Sequence, residues 1–342
     1  LVLVFFMIKN IFFLFITLMI ISCNLNNEIS HFSDNFLDVK NNNSYSANYL
    51  TANYSITKGD AYTASHILDK NLQSPRLLEI KFISNLASGK FDTANKVSNK
   101  IKVNNYLYDL PKYILQIKNG YIKESLDVFA NRQPFFNSNN LNYLIEFWID
   151  QTENKNSHIS QKYFQNTSIH ELLILENFHN SKKLIKIADF IYKKDNLNSH
   201  DTLLLAGFYY RVKKMEKKKN LILSKLSNQF DKLSIIRNFS KENNIFNKVQ
   251  TLQNILASKI YNMINEDNLN SYRNHLYQKI LLEFSLFLNP KMDVSKYSLA
   301  EIYNLEKMKD IAIKNLDNIP KESFFFLAAN LKKLTIIKTN GI

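Results

Sequence analysis

The feature that most constrains this chain is a glycine that returns at a fixed interval with a small residue five places after it. Gly59-Asp60-Ala61-Tyr62-Thr63-Ala64 is followed by Gly89-Lys90-Phe91-Asp92-Thr93-Ala94 and then by Gly120-Tyr121-Ile122-Lys123-Glu124-Ser125. The interval is 30 residues from Gly59 to Gly89 and 31 from Gly89 to Gly120. A period in this range marks stacked helix pairs, because one pair cannot bury its apolar stripe alone and needs a like neighbour. Leu78, Phe82 and Leu86 precede Gly89, and Ile114 and Ile117 precede Gly120, spaced so that each set shares one helix face. A second apolar pattern follows each glycine, as in Ile67 and Leu68 or Leu126 and Phe129. The sequence therefore predicts an all-α chain.

Glycine suits the bend because a helix end commonly needs a left-handed backbone that a side chain opposes. Ala64, Ala94 and Ser125 then let two helices approach closely. Pro75 and Pro111 sit where a new helix starts and where a missing N–H costs nothing. In these residues the chain resembles tetratricopeptide repeat proteins, whose units of about 34 residues carry a Gly, an aromatic two positions later and an Ala five positions later. Phe91 and Ala94 fit that pattern, whereas Ala61 and Ile122 replace the aromatic, Ser125 replaces the Ala, and the spacing is shorter. The resemblance implies a solenoid of antiparallel helix pairs wound into a right-handed superhelix, each unit touching only its neighbours. It also implies a concave surface lined by first helices, with Asn48, Thr51, Ser55, Lys81 and Asn85 as the positions that would meet a peptide.

Residues 1–23 read as a targeting segment. Met7 reads as the start, followed by Lys9 and an apolar run from Ile11 to Ile21 that is short for a membrane span, as in a secretory signal peptide. If Leu1 to Phe6 are translated, the apolar stretch lengthens and an uncleaved anchor is the alternative. Ile20, Ile21, Ser22 and Cys23 resemble the bacterial lipoprotein box, in which the cysteine becomes the lipidated first residue. Cys23 is the sole cysteine and cannot form an internal disulfide, so lipid attachment is the expectation, against an incidental thiol in a signal anchor. Residues 24–45, with Asn41-Asn42-Asn43-Ser44, read as a flexible tether.

Residues 46–135 carry the regular units and 136–342 more diverged ones. Leu141, Leu144, Ile145 and Trp148 mark one helix, Leu172, Leu173 and Leu175 another, and Leu184, Ile187, Ala188 and Ile191 a third. Leu203, Leu204, Gly207 and Tyr210, then Leu221 and Leu226, predict a helix, a break and a helix. Residues 227–282 resist phasing, although Leu252, Ile255, Leu256 and Ile260 predict a helix. The phase returns with Ala312 five residues after Lys307, between Pro290 and Pro320. Gly341, 34 residues beyond Lys307, follows the apolar pattern Phe325, Leu327, Leu331, Leu334 and Ile337 and takes the hinge position of a further unit. The spacing thus predicts a fragment that stops inside a repeat.

Reactive constellations are sparse. A zinc hydrolase motif would need two histidines one turn apart, and His170-Glu171-Leu172-Leu173-Ile174 has Ile at the second position, which predicts a surface histidine. Gly89-Lys90 lacks the glycine and hydroxyl of a phosphate loop, and with five glycines in all no dinucleotide fingerprint or nucleophile elbow is present. Glu124-Ser125 and Glu322-Ser323 echo the catalytic dipeptide of lytic transglycosylases, whose glycine-rich substrate motif is missing here. No cofactor or metal is expected. The net charge is +14, and Arg211, Lys213, Lys214, Lys217, Lys218 and Lys219 cluster around Glu216 in a turn that reads as solvated, with contact to anionic lipid or an acidic partner as the functional alternative. The basic cluster lacks interleaved aromatics, which counts against nucleic acid. Phe324-Phe325-Phe326 reads as core.

The expectation is a non-enzymatic lipoprotein on the periplasmic side of a Gram-negative membrane, scaffolding protein–protein contacts. The alternative is the helical docking region of a cell-wall enzyme whose catalytic domain lies beyond Ile342.

Overall fold

The computed structural model of the chain describes residues 45–68, 74–102, 106–128, 138–153, 167–194, 197–212, 217, 220–222, 249, 251–266 and 272–338. The chain divides into two compact units, Leu1–Thr51 and Ala52–Ile342. Within residues 45–51 of the first, the Thr51 hydroxyl donates to the Ala47 carbonyl at 2.8 Å. The described residues form helices and no strand.

In order, these are α1 (Tyr45–Thr57), α2 (Ala61–Ile67), α3 (Pro75–Ala87), α4 (Phe91–Ser98), a 3-10 turn (Tyr106–Asp109), α5 (Leu110–Asn119), α6 (Ile122–Asp127) and α7 (Ser138–Glu153). Then come α8 (Ile169–Phe178), α9 (Ser181–Lys193), α10 (Ser199–Arg211), α11 (Leu252–Glu266) and α12 (Tyr272–Leu288). The last three are α13 (Asp293–Leu305), α14 (Lys309–Asp317) and α15 (Phe326–Lys338). Local chemistry sets many of the starts. Pro75 opens α3 and Pro111 lies in the first turn of α5, where no intrahelical N–H bond is lost. Asp60, Asn180 and Asn198 cap α2, α9 and α10 through their side chains, and Ser168 with Glu171 closes a reciprocal capping box on α8.

Four hinges share one backbone geometry. Gly59, Gly89 and Gly120 have φ of 87°, 72° and 86°. At each, the glycine N–H bonds a carbonyl three residues back (Ile56, Leu86, Ile117), and the next N–H bonds one five residues back (Ser55, Asn85, Gln116). This pair of bonds satisfies the last carbonyls of the outgoing helix. Lys307 repeats the geometry without glycine, at φ 64°, with bonds from its own N–H to Asn304 and from Met308 to Tyr303. The residues that follow, Asp60, Lys90, Tyr121 and Met308, all lie at φ between −78° and −90° and ψ between 62° and 69°. Ala64, Ala94, Ser125 and Ala312 are wholly buried five residues after their hinges.

Successive units are tied by side chains one period apart. Tyr108 donates to Glu79 at 3.4 Å and Tyr113 to Asn142 at 2.9 Å, each across 29 residues. Tyr143 donates to Glu171 at 2.8 Å across 28 residues, the same separation that brings His179 to Gln151 at 3.1 Å. Sequential helices pack from α2 to α10, and again from α11 to α15.

Packing between neighbours is only part of the fold. Helix α12 also packs on α3 and α5, and α11 packs on α7 and α8, joining segments far apart in the chain. The expectation that each unit touches only its neighbours therefore fails. The cause is visible in α11 and α12 themselves: Leu256, Ala257 and Ile260 on the one and Leu281, Leu282 and Phe284 on the other are almost fully buried, so both helices need apolar partners on more than one side. The stretch that resisted phasing thus holds α11 and the first part of α12, while residues 223–248 lie outside those described. Phe324 and Phe325 enter the core, and Gly207 is buried inside α10 with Leu203 on the same helix. No helix among the described residues is long and apolar enough to cross a membrane.

Candidate functional site

The hinges and the helices around them carry the residues singled out by the repeat. Asn48, Thr51 and Lys81 are half-buried, but Ser55 is 7% exposed and Asn85 only 1%. Ser55 and Asn85 are therefore not open to a peptide. Their carbonyls accept the hinge bonds from Asp60 and Lys90, and the Asn85 amide donates to the Lys81 carbonyl at 2.7 Å. Cys23, Ile20, Ile21, Ser22 and Gly341 lie outside the described residues.

The hinge regions of the array meet a helix from near the other end of the chain, α12. Lys279 on α12 is fully buried and donates to the Gly59 carbonyl and to both oxygens of Glu306, at 2.9 and 2.7 Å. One turn on, the Glu283 carboxylate lies against Gly89, where an added Cβ would stand 2.6 Å from Oε2. One further turn brings Phe287 to 4.9 Å from the Phe91 ring, with Lys118 Nζ 5.5 Å from the Phe287 ring and 3.4 Å from the Leu288 carbonyl. Residues 279, 283 and 287 thus meet the first, second and third hinge regions in turn, as the i, i+4, i+8 face of one helix must. On α11, Gln253 donates to the Ile117 carbonyl at 3.1 Å.

Burial governs the electrostatics of this seam. It lowers the Lys279 ammonium and raises the Glu306 carboxyl, each opposed by the other's charge. It raises Glu283 to about 7, with Lys279 pulling the other way. A buried lysine can serve as a nucleophile when its amine is free, but an ammonium has three protons and Lys279 places them on three oxygens. Its geometry is that of a structural pin between the Gly59 turn, α12 and the end of α13.

A second polar cluster joins α8, α10 and α11. His200 Nε2 lies 2.9 Å from the Ser258 hydroxyl, which is 3.4 Å from His170 Nε2. The Asn262 amide donates to Asp201 at 2.5 Å and stands 3.5 Å from His170. Burial holds His200 down at about 4 and His170 well below its usual value, so both rings are neutral near pH 7. His170 is thus a core residue and not a surface one, and Glu171 beside it accepts from Tyr143 and the Ser168 backbone. A serine beside a histidine has the form of a nucleophile with its base. Here the hydroxyl is divided between two rings and Ser258 is only 5% exposed. No group of three or more His, Cys, Asp or Glu among the described residues is placed to hold a metal ion.

Other sequence candidates are scattered. Glu124 and Glu322 are both exposed, 198 positions apart in the chain. Arg211 leaves the basic turn to clamp the buried Glu176 through two bonds, Nε to Oε1 at 2.7 Å and Nη2 to Oε2 at 2.6 Å. Lys217 is exposed, and Lys213, Lys214, Glu216, Lys218 and Lys219 lie outside the described residues. Sequence reasoning missed Lys279 and Glu283, although the run Lys279-Ile280-Leu281-Leu282-Glu283-Phe284 carried a signal: charges four apart within an otherwise apolar segment.

Compared with family models, with curated proteins and with solved structures, the chain matches none.

Proposed function

We propose that this chain is a tetratricopeptide-like helical repeat protein, lipidated at Cys23 and held on the periplasmic side of a Gram-negative membrane as a scaffold for protein contacts. The observation that carries the repeat reading is the common backbone of the four hinges at Gly59, Gly89, Gly120 and Lys307, with a buried small residue five positions after each. The same bend and the same close approach four times over are what a helix-pair array requires. In this reading the antiparallel pairs keep the handedness of the family, and α11 with α12 occupies part of the surface that family members leave to a ligand.

Recognition then falls to what the array leaves open. Tyr54, Tyr62, Tyr121 and Tyr143 are exposed, and tyrosine is enriched where proteins meet because it offers large contact area at low entropy cost. The anchor rests on the run from Ile11 to Cys23 and its resemblance to a lipoprotein box.

Two measurements test the proposal. Palmitate labelling of cells should mark the protein, and Cys23→Ser should abolish the label. Label that persists in the variant removes the anchor. Photo-crosslinkers at Tyr54, Tyr62 and Tyr121 should capture the same protein in envelopes. Crosslinks to peptidoglycan alone would move the reading to a cell-wall function.

A further inference from the structure

Helix α9 differs from the other short helices of the array in what it shows to solvent. Its inward face is apolar, with Leu184, Ile187, Ala188 and Ile191 buried. Its outward face carries Lys182, Lys183, Lys186 and Lys193, continued by Lys194 at the cap, all exposed. At 100° per residue these five and Phe190 fall within about 120° of the helix circumference and extend over about 18 Å. None of the five lysines forms an ion pair with a described residue. The single acid of α9, Asp189, accepts from the Tyr209 hydroxyl at 2.5 Å. On three other helices the signs are mixed: α4 sets Lys96 beside Asp92, α6 pairs Lys123 with Glu153, and α14 alternates Lys309, Asp310, Lys314 and Asp317.

We infer that the outward face of α9 is a membrane-contact surface that binds anionic phospholipid headgroups. The inference rests on the proposed anchor, since the tether expected over residues 24–45 would keep the array within roughly 25 Å of the bilayer. The residue types favour lipid over a folded acidic partner. Lysine is a point charge on a flexible stem and suits a laterally mobile anionic surface, whereas bidentate recognition of fixed carboxylates favours arginine, and α9 has none. Phe190 is half-buried at mid-face with Lys194 Nζ 5.0 Å from its ring centre, an apolar body among cationic stems as interfacial helices present.

The test uses the full chain with Cys23→Ser, so that lipidation plays no part and its failure is scored separately by palmitate labelling. Co-sedimentation is compared between phosphatidylcholine vesicles and equimolar phosphatidylcholine–phosphatidylglycerol vesicles, the first accounting for any binding by the apolar leader. The Cys23→Ser chain should partition more strongly to the anionic vesicles. Reversing Lys182, Lys183, Lys186 and Lys193 to Glu should cut that excess by roughly fivefold or more per lysine. Reversing the exposed Lys96, Lys100, Lys314 and Lys321 instead should cut it far less. Circular dichroism checks that both variants fold, and Lys→Gln versions should give smaller losses in the same order. Equal losses in the two sets, or no preference for anionic vesicles, overturn the inference. So does tighter binding to polyglutamate or to an RNA oligonucleotide than to vesicles, which would assign the face to an acidic protein or to nucleic acid.

Discussion

The helix pairs over 61–127 and the two helices α11 and α12 solve the same problem in opposite ways. The pairs repeat one turn and one contact, so their ties cross 25 to 30 residues, as from Lys90 to Ser65 and from Lys123 to Glu153. Helices α11 and α12 have ties of that length too, 27 residues from Lys279 to Glu306 and 28 from Ser285 to Ala257, but add ones that cross 88 residues from Ser258 to His170, 136 from Gln253 to Ile117 and 220 from Lys279 to Gly59. The first arrangement stabilises by recurrence and the second by buried polar pins whose partners are fixed one by one. A pin is costly to break because its partner stays behind in an apolar setting. A link between neighbouring units at the surface has solvent to replace it.

The largest expected effect sets the two kinds of tie against each other. Lys279→Ala leaves the buried Glu306 carboxylate without its ammonium and takes one of two donors from the Gly59 carbonyl, which keeps the Ala61 N–H, and should cost about 3–5 kcal/mol in urea unfolding. Lys123→Ala breaks an exposed pair and should leave the midpoint unchanged. Replacing Lys279 and Glu306 together by Met and Leu should recover most of the loss. A double variant as weak as the single one would contradict the pin.

Acid and base should act on the two polar clusters in opposite senses. Glu283 keeps its proton in the folded chain up to about 7, above the usual 4.5. Its contribution is present below pH 4.5 and is lost as pH rises through 7. The His200 pKa is depressed to about 4, so its contribution is present above pH 6.5 and is lost as pH falls toward 4. Each is worth up to roughly 3 kcal/mol. Glu283→Gln should flatten the fall in melting temperature between pH 5 and 8, and His200→Gln the fall between pH 6.5 and 4. The reverse assignment would place the burial wrongly.

Hinges differ by what presses on them. At Gly59 an added Cβ would lie 2.3 Å from the Glu306 carboxylate, whereas at Gly120 it would meet nothing within 4 Å. Gly120→Ala should cost about 1–2 kcal/mol for the left-handed backbone alone. Gly59→Ala should cost distinctly more, and in a Glu306→Ala background the two should converge. Tyr113→Phe, which removes the hydroxyl that donates to Asn142, should cost about 1 kcal/mol by the same assay.

The sequence made the first arrangement legible and hid the second for a physical reason. A hinge is written locally, in Gly59 or Gly89 and the apolar residues on either side. Even Lys307, which has no glycine, could be placed by the phase of Ala312. Periodicity says which face of a helix is buried but not against what, so nothing near Lys279 announces a partner at Gly59. Ser55 and Asn85 were read as open for the same reason: their helices have the pattern of a repeat, and that pattern does not say that both side chains are buried. His170 looked like half of a metal motif because its neighbours in space, Ser258 and Asn262, are remote in sequence.

The central claim is that α11 and α12 are part of the same cooperative body as the helix pairs. Hydrogen exchange of Lys279→Ala against wild type under native conditions tests it most directly. Protection should fall together in α12 and in the hinge and helix segments 59–67 and 75–98. Loss confined to residues 272–317, with 59–98 protected as in wild type, would show a stack that does not depend on its distant helices and would contradict the account.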